Sequence, residues 1–272
     1  MKRFALLWVF VFLATAIPAF AAETEIVING STTVLPVMQK AGEAFMAVNP
    51  GINLSISGGG SGNGIKALNE GLCQVAMSSR DIKSSEKELG MKNGVEPVRT
   101  AIAVDALVPV VHSENPVKKI TAVQPKDIYA GRITNWKCIG GNYEKIGVLS
   151  RGTSSGTYET WEDINMKKEK LVPTALLQAS NGAVVQTVAK NRRSIGYTGF
   201  GYMTDSLKNL DADGVEATPQ TALTRVWHIA RDLYVFTNGP PEGAVKSLMS
   251  YLLDPKKEQK SVAEVGYIPL GE

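Results

Sequence analysis

Three times along this chain a short apolar strand runs into a loop of glycine and hydroxyl residues, and the loop into an amphipathic helix. In the first unit residues 25–29 alternate β-branched with polar side chains and Gly30-Ser31-Thr32-Thr33 breaks the strand. Val34, Val37, Met38, Ala41, Phe45 and Val48 then recur at helical spacing until Asn49-Pro50-Gly51. In the second unit Ile52, Leu54 and Ile56 alternate, residues 57–64 form a loop of serine, glycine and asparagine, and Ile65, Leu68 and Leu72 start a helix. The third runs from Ile146, Val148 and Leu149 through the loop 150–157 into Tyr158, Trp161 and Ile164. Strands alternating with helices predict an α/β fold with a mostly parallel sheet. In such a sheet the loops at the carboxyl ends of the strands gather in one crevice.

All three loops lack Asp and Glu. Helix N-termini offer unpaired N–H groups and partial positive charge, glycine admits close backbone approach, and Ser or Thr hydroxyls add donors that rotate toward an oxygen. The combination suits an anion. The candidate ligand residues are Ser31, Thr32, Thr33, Ser61, Ser155, Gly156 and Thr157, with Arg151 as the cation inside the third loop. Ser79 and Arg80, directly after the predicted strand Val75–Met77, add a hydroxyl and a second guanidinium beside Asp81. Taken singly each loop has a plainer role: Ser31 to Thr33 as a helix cap, the glycines as flexible chain, residues 150–157 as a turn. A nucleotide is disfavoured, because neither glycine loop completes G-x-G-x-x-G or the contiguous Gly-Lys-[Ser/Thr] of a P-loop.

Gly152-Thr153-Ser154-Ser155-Gly156 is also a literal G-x-S-x-G between strand and helix, the setting of a hydrolase nucleophile. A secreted serine hydrolase using Ser154 and His228, with Asp205 or Asp211 as the acid, is therefore the rival reading. It leaves the other two hydroxyl loops without a task, and His228 alternates with apolar neighbours as a structural histidine would.

The N-terminus carries Lys2-Arg3, an apolar run from Phe4 to Ile17, and Ala19-Phe20-Ala21, which predicts a signal peptide over residues 1–21 and a mature protein in the periplasm. Removing Lys2 and Arg3 with the leader leaves 27 basic against 26 acidic residues, so nucleic acid is not an expected partner. Cys73 and Cys138 both lie among apolar neighbours and are expected as free thiols. Two distant histidines and no CxxC spacing give no metal site, and no cofactor is expected. With 272 residues, two lobes fit the domain-size range. The apolar stretch from Ala101 to Val111 predicts a buried crossing strand, which divides the chain into residues 22–105 with 226–272 and residues 106–225.

In the order and spacing of these pieces the chain resembles the phosphate-binding proteins of bacterial phosphate ABC transporters, in their short Gly-Ser-Thr-Thr-Val form. The likeness runs from Ile26 to Leu270 and includes Gly30 to Val34, Gly59 to Gly62, Ser79-Arg80, Gly131 to Trp136, Arg151 with Ser155-Gly156-Thr157, Ile195-Gly196-Tyr197 and Gly266 to Leu270. The resemblance implies a type II periplasmic binding protein, two α/β lobes with a central cleft and a two-strand hinge. It also implies inorganic phosphate as ligand, the membrane permease of an ABC transporter as partner, no catalysis, and a monomer. It maps ligand hydroxyls and amides onto Thr32, Thr33, Ser61, Ser155, Gly156 and Thr157, and the bidentate cation onto Arg151. Longer members place an Asp where this chain has Arg80, and that Asp accepts the proton of bound phosphate. Here Asp105 is the candidate acceptor, with Asp81 second.

Overall fold

The computed structural model describes residues 24–255 and 258–270, so the leader read over residues 1–21 lies outside the described residues. In chain order the first elements are β1 (Thr24–Gly30), α1 (Leu35–Val48), β2 (Ile52–Gly58), α2 (Ser61–Asn69), β3 (Val75–Ser78), α3 (Ser84–Lys92) and β4 (Pro97–His112). There follow β5 (Lys119–Ile120), α4 (Gln124–Tyr129), β6 (Gly147–Arg151), α5 (Gly156–Trp161), β7 (Leu176–Gln178), α6 (Asn181–Lys190), β8 (Ser194–Gly199), β9 (Leu207–Asn209) and β10 (Asp211–Ala212). The chain ends with α7 (Pro219–Leu223), β11 (Ala230–Asn238), α8 (Gly243–Leu252) and α9 (Glu258–Glu264).

The three predicted strand–loop–helix units are all present, and a fourth of the same kind, β7 to α6, joins them. Alternation in β1 buries Ile26 and Ile28, and the helical spacing of α1 buries Val37, Met38, Ala41 and Phe45 against them. Val48 and Leu72, read as part of the apolar faces, are instead exposed: one ends its helix and the other lies three residues past the end of α2. β4 is buried continuously from Ile102 to Val111, the pattern of a strand covered on both faces.

Strand order is β2-β1-β3-β11-β4-β8-β6-β7, with β9 paired on β4. The expected mostly parallel sheet is a mixed one. β2, β1 and β3 run parallel at one end and β8, β6 and β7 at the other, whereas β11 and β4 are antiparallel to each other and to the strands beside them. The reason is connectivity, since two strands must carry the chain across and back. Along β4 the packing partner changes between neighbours: Ile102 and Ala103 belong to the core of β1, α1 and α8, while Val104 and Ala106 belong to the core around Trp136, Trp161 and Trp227. β11 crosses beside it, with Arg231 paired to Asp105 and a register shift between Leu233 and Tyr234. The two crossing strands thus join two hydrophobic cores, and the Gly/Ser/Thr loops face each other over that junction.

Candidate functional site

Loop by loop, the cleft is assembled from strand ends. At the end of β1, Gly30 has a φ of +138°, and a side chain there would collide with the Met77 carbonyl of β3, so only glycine lets the chain turn. The turn brings Ser31, Thr32 and Thr33 inward, all buried. The Ser31 hydroxyl accepts from the Thr33 N–H at 3.1 Å, while the phenols of Tyr202 and Tyr267 donate to the Thr32 and Thr33 carbonyls. After β2, Ser61 begins α2 and its hydroxyl accepts from the Ser79 N–H at 3.1 Å. After β6, Ser155 caps α5 by accepting from the Tyr158 N–H at 3.3 Å, and Gly156 and Thr157 form the first turn.

The cleft is closed. Gly62 donates its N–H to the Ser154 carbonyl at 2.9 Å across it, and the Thr33 and Thr157 hydroxyls stand 2.9 Å apart. A Cβ built on Gly156 would lie 2.4 Å from the Ser61 hydroxyl, and one on Gly60 2.6 Å from the Ser154 carbonyl. Facing loops with larger residues at these points could not approach so closely.

Arg151 is the last residue of β6 rather than a member of the loop, and it is only 2% exposed. Its guanidinium donates to the Gln178 and Ala179 carbonyls, to Asn181 Oδ1 at 2.7 Å and, across the cleft, to Thr32 Oγ1 at 3.2 Å. All these acceptors are neutral, and among the described residues Arg151 forms no ion pair. Burial pulls its pKa down to about 10, partly offset by Tyr197 and Tyr202. The side chain remains a cation near neutral pH, with no charge to match it.

Arg80 is differently placed. It forks onto Glu86 of α3 at 2.7 and 2.8 Å, and its Nε lies 2.9 Å from Glu159 of α5 on the opposite side of the cleft. Lys83 reaches the same Glu159 at 2.7 Å. Burial works to lower the Arg80 pKa and to raise that of Glu86, but their mutual bonds outweigh it, so Arg80 is pushed up and Glu86 held below the usual carboxylate range. Asp81 is paired with Arg99 on the surface. Asp105 lies in the cleft floor, fully buried, with Oδ2 held by Arg231 and Oδ1 accepting from the Phe200 N–H at 2.9 Å. Burial raises its pKa against the pull of Arg231.

Ser31, Thr32, Thr33, Ser61, Ser79, Asp105, Arg151, Ser155, Gly156 and Thr157 thus converge on the cleft, and Arg80 stands at its rim among carboxylates. Ser154 and His228 do not meet. His228 lies in an outer depression with Ala122, Val123, Lys126, Ile164, Asn165 and Lys167, while Ser154 abuts Gly60 and Gly62. Among the described residues the two share no hydrogen bond, so the rival hydrolase pairing is not assembled. Asn181, Arg231, Glu86 and Glu159 were missed by the sequence reading. For Asn181 the signal was present: Ala179-Ser180-Asn181-Gly182 follows a strand, opens a helix and contains no Asp or Glu, the rule applied to the other three loops. Cys73 and Cys138 are free thiols, but Cys138 is exposed rather than embedded, because only Trp136 is buried in the short 136–139 turn. Among the described residues no group of three or more His, Cys, Asp or Glu is placed to hold a metal ion, and no helix is long and apolar enough to cross a membrane.

A family model described as a PBP superfamily domain matches residues 16–256. The phosphate-binding protein PstS of Bacillus subtilis is 30% identical over 254 residues, covering 92% of this chain and 82% of its own length. The chain belongs to this family. Among solved structures, one from Clostridium perfringens, described as a phosphate ABC transporter substrate-binding protein with bound phosphate, superposes with a TM-score of 0.85 at 35% identity over 91% of this chain and all of that one. An ABC-type phosphate transport receptor from Vibrio cholerae gives 0.72 at 30% identity over 90% of this chain and all of that one. The fold is accordingly that of a type II periplasmic binding protein, with β4 and β11 as its two-strand hinge.

Proposed function

We propose that the chain is an exported solute-binding protein that captures inorganic phosphate between its lobes and delivers it to the membrane permease of an ABC transporter. The observation that carries this reading is Arg151, a buried guanidinium whose bonds all go to neutral oxygens. An unmatched buried charge is costly, and an anion held against it removes that cost. Thr32, Thr33, Ser61, Ser79, Ser155, Gly156 and Thr157 line the cleft with hydroxyls and a helix start, a donor-rich lining for a small oxyanion. The relatives named for phosphate, one with the ion bound, support the same ligand.

Capture and release need no covalent step, and no residue is assigned to one. The lobes comprise residues 22–105 and the C-terminal segment on one side and the stretch from 106 on the other. On this reading the chain crosses back between residue 226 and β11; Trp227 and Ile229, which pack in the core around Trp136 and Trp161, favour a crossing at the start of β11. The protein works as a periplasmic monomer, its leader removed after about Ala21. Calorimetric titration of refolded, phosphate-stripped protein with phosphate, sulfate, molybdate and a nucleotide tests the reading. Phosphate is expected to bind tightly and the others far more weakly; equal affinity for sulfate would replace phosphate capture with general oxyanion binding.

A further inference from the structure

On the hinge the charge is arranged quite differently from Arg151. Arg231 of β11 sits directly opposite Asp105 of β4, and its Nε and Nη2 hold the Asp105 carboxylate at 3.1 and 2.9 Å. The same guanidinium continues into the cleft. Nη2 reaches Thr157 Oγ1 at 3.1 Å and Thr33 Oγ1 at 3.5 Å, and Nη1 reaches the Gly156 carbonyl and Thr160 Oγ1. Arg231 therefore touches the ligand loops of both lobes from below, although it is only 8% exposed.

Hydrogen counting limits what the two hydroxyls can do. A threonine hydroxyl has two lone pairs and one hydrogen. Thr33 Oγ1 accepts from Asn181 Nδ2 at 2.7 Å; the two hydrogens of Arg231 Nη2 go to its shorter contacts, Asp105 Oδ2 and Thr157 Oγ1, so the 3.5 Å approach to Thr33 leaves that oxygen a lone pair open. In the 2.9 Å contact between Thr33 and Thr157 either hydroxyl can be the donor. Thr157 Oγ1 accepts from Arg231, so whichever hydroxyl closes the contact, the hydrogen of the other is left to be donated into the cleft.

We propose that Arg231 is a positioning and specificity-setting residue of the phosphate site, which cancels the Asp105 charge and anchors the Thr33–Thr157 hydroxyl pair so that one of its hydrogens is donated to the bound anion. The inference rests on the phosphate-capture reading above. It changes the account of selectivity. Asp105 does not wait as a free proton acceptor; the floor beneath the ligand is a neutralised pair topped by an aligned hydroxyl. The other titratable groups around the pair are Arg151, Tyr202 and Tyr267. The two phenols donate to backbone carbonyls and are pushed upward by burial, so neither changes charge near neutral pH.

The test compares the parent with Arg231→Gln and with Arg231→Gln/Asp105→Asn, titrating each with inorganic phosphate from mildly acidic to alkaline pH. Arg231→Gln strands a buried carboxylate under the anion, and its affinity should fall about a hundredfold, the scale of one charge-assisted bond lost plus a repulsion gained. The loss should shrink as pH falls and Asp105 takes up a proton. The double variant should recover about tenfold of that loss and return to the parent's pH profile. A structural role alone would not move the pH profile. If Arg231→Gln does not fold, the double variant carries the test: it should bind about tenfold more weakly than the parent, because Thr157 is no longer aligned. Parent-like affinity in the double variant overturns the proposal, as do equal losses in both variants with unchanged pH profiles. A parent protein that takes no phosphate overturns the functional reading itself, whereas a phosphate-binding parent with indifferent variants overturns only the role of Arg231.

Discussion

Arg151 and Arg80 stand at strand ends on opposite sides of one cleft, and their surroundings are opposite in charge. Arg151 has four neutral acceptors and no carboxylate, whereas Arg80 is enclosed by Glu86 and Glu159 with Lys83 beside them. A guanidinium already matched by two carboxylates has little left to offer an anion; an unmatched one has its whole charge. The difference assigns them separate tasks. On the proposed function Arg151 is the residue to draw the ligand, while Arg80 bridges the cleft at its rim, since Glu86 lies on its own side and Glu159 on the other.

Outside the hinge pair, the largest effect should follow from Arg151→Met. A charge-assisted hydrogen bond is worth about 1.5–3 kcal/mol, so phosphate affinity should fall by one to two orders of magnitude by calorimetry. Arg80→Met should cost clearly less, because it removes a latch rather than a ligand contact. Reversal of that order would transfer the anion-binding role to Arg80. Gly60→Ala should rank next. Its φ is +104° and the added methyl would lie 2.6 Å from the Ser154 carbonyl, so both backbone strain and a clash across the cleft oppose closure. Binding should weaken by about 1–3 kcal/mol, and the radius of gyration in small-angle scattering should contract less on adding phosphate than in the parent. An alanine variant that closes and binds like the parent would mean that contact between the glycine loop and Ser154 is not part of the working closed state.

A smaller effect is expected from pH through the rim. Glu86 is held below its usual value of 4.5, so the folded protein binds fewer protons there than the unfolded chain. Its contribution is complete above that value and fades as pH drops through the lower folded one. Urea midpoints should therefore fall on acidification, and Glu86→Gln should remove part of that dependence. An unchanged acid limb in the variant would show that the Arg80–Glu86 fork adds nothing to folding.

The same contrast explains what could be read from the chain. Arg151 was legible because its signal is local: one cation between a strand and a Ser-Gly-Thr helix start. Arg80 was legible as a residue but not as a role, because Glu159 sits 79 positions away on the polar face of a predicted helix and looks like a solvated charge. Arg231 was invisible for the same reason in stronger form. Its partner Asp105 is 126 residues distant, and only the antiparallel register of β4 and β11 places them opposite each other. Periodicity reports which face of an element is apolar; it does not report which element lies across from it. That is also why the strand–loop–helix units were foreseen while the mixed order of the sheet was not.

The smallest effect belongs to Ser154, whose motif once competed for the function. Its contribution to the closed cleft is made by the backbone carbonyl, which accepts from the Gly62 N–H and faces Gly60. Any L-residue supplies that carbonyl. The Ser154 side chain is half-buried at the rim, and His228 is exposed on the outer surface in a depression that the loop 150–157 does not enter. A nucleophile needs its base within hydrogen-bond reach, and this pair lacks it. Ser154→Ala should therefore leave phosphate affinity and thermal stability within about 0.5 kcal/mol of the parent, the range of ordinary surface substitutions. Neither parent nor variant should turn over activated esters. Turnover lost on both Ser154→Ala and His228→Ala would require the loop to open far enough to bring the two together. The cleft would then have a second use that its closed geometry does not provide for.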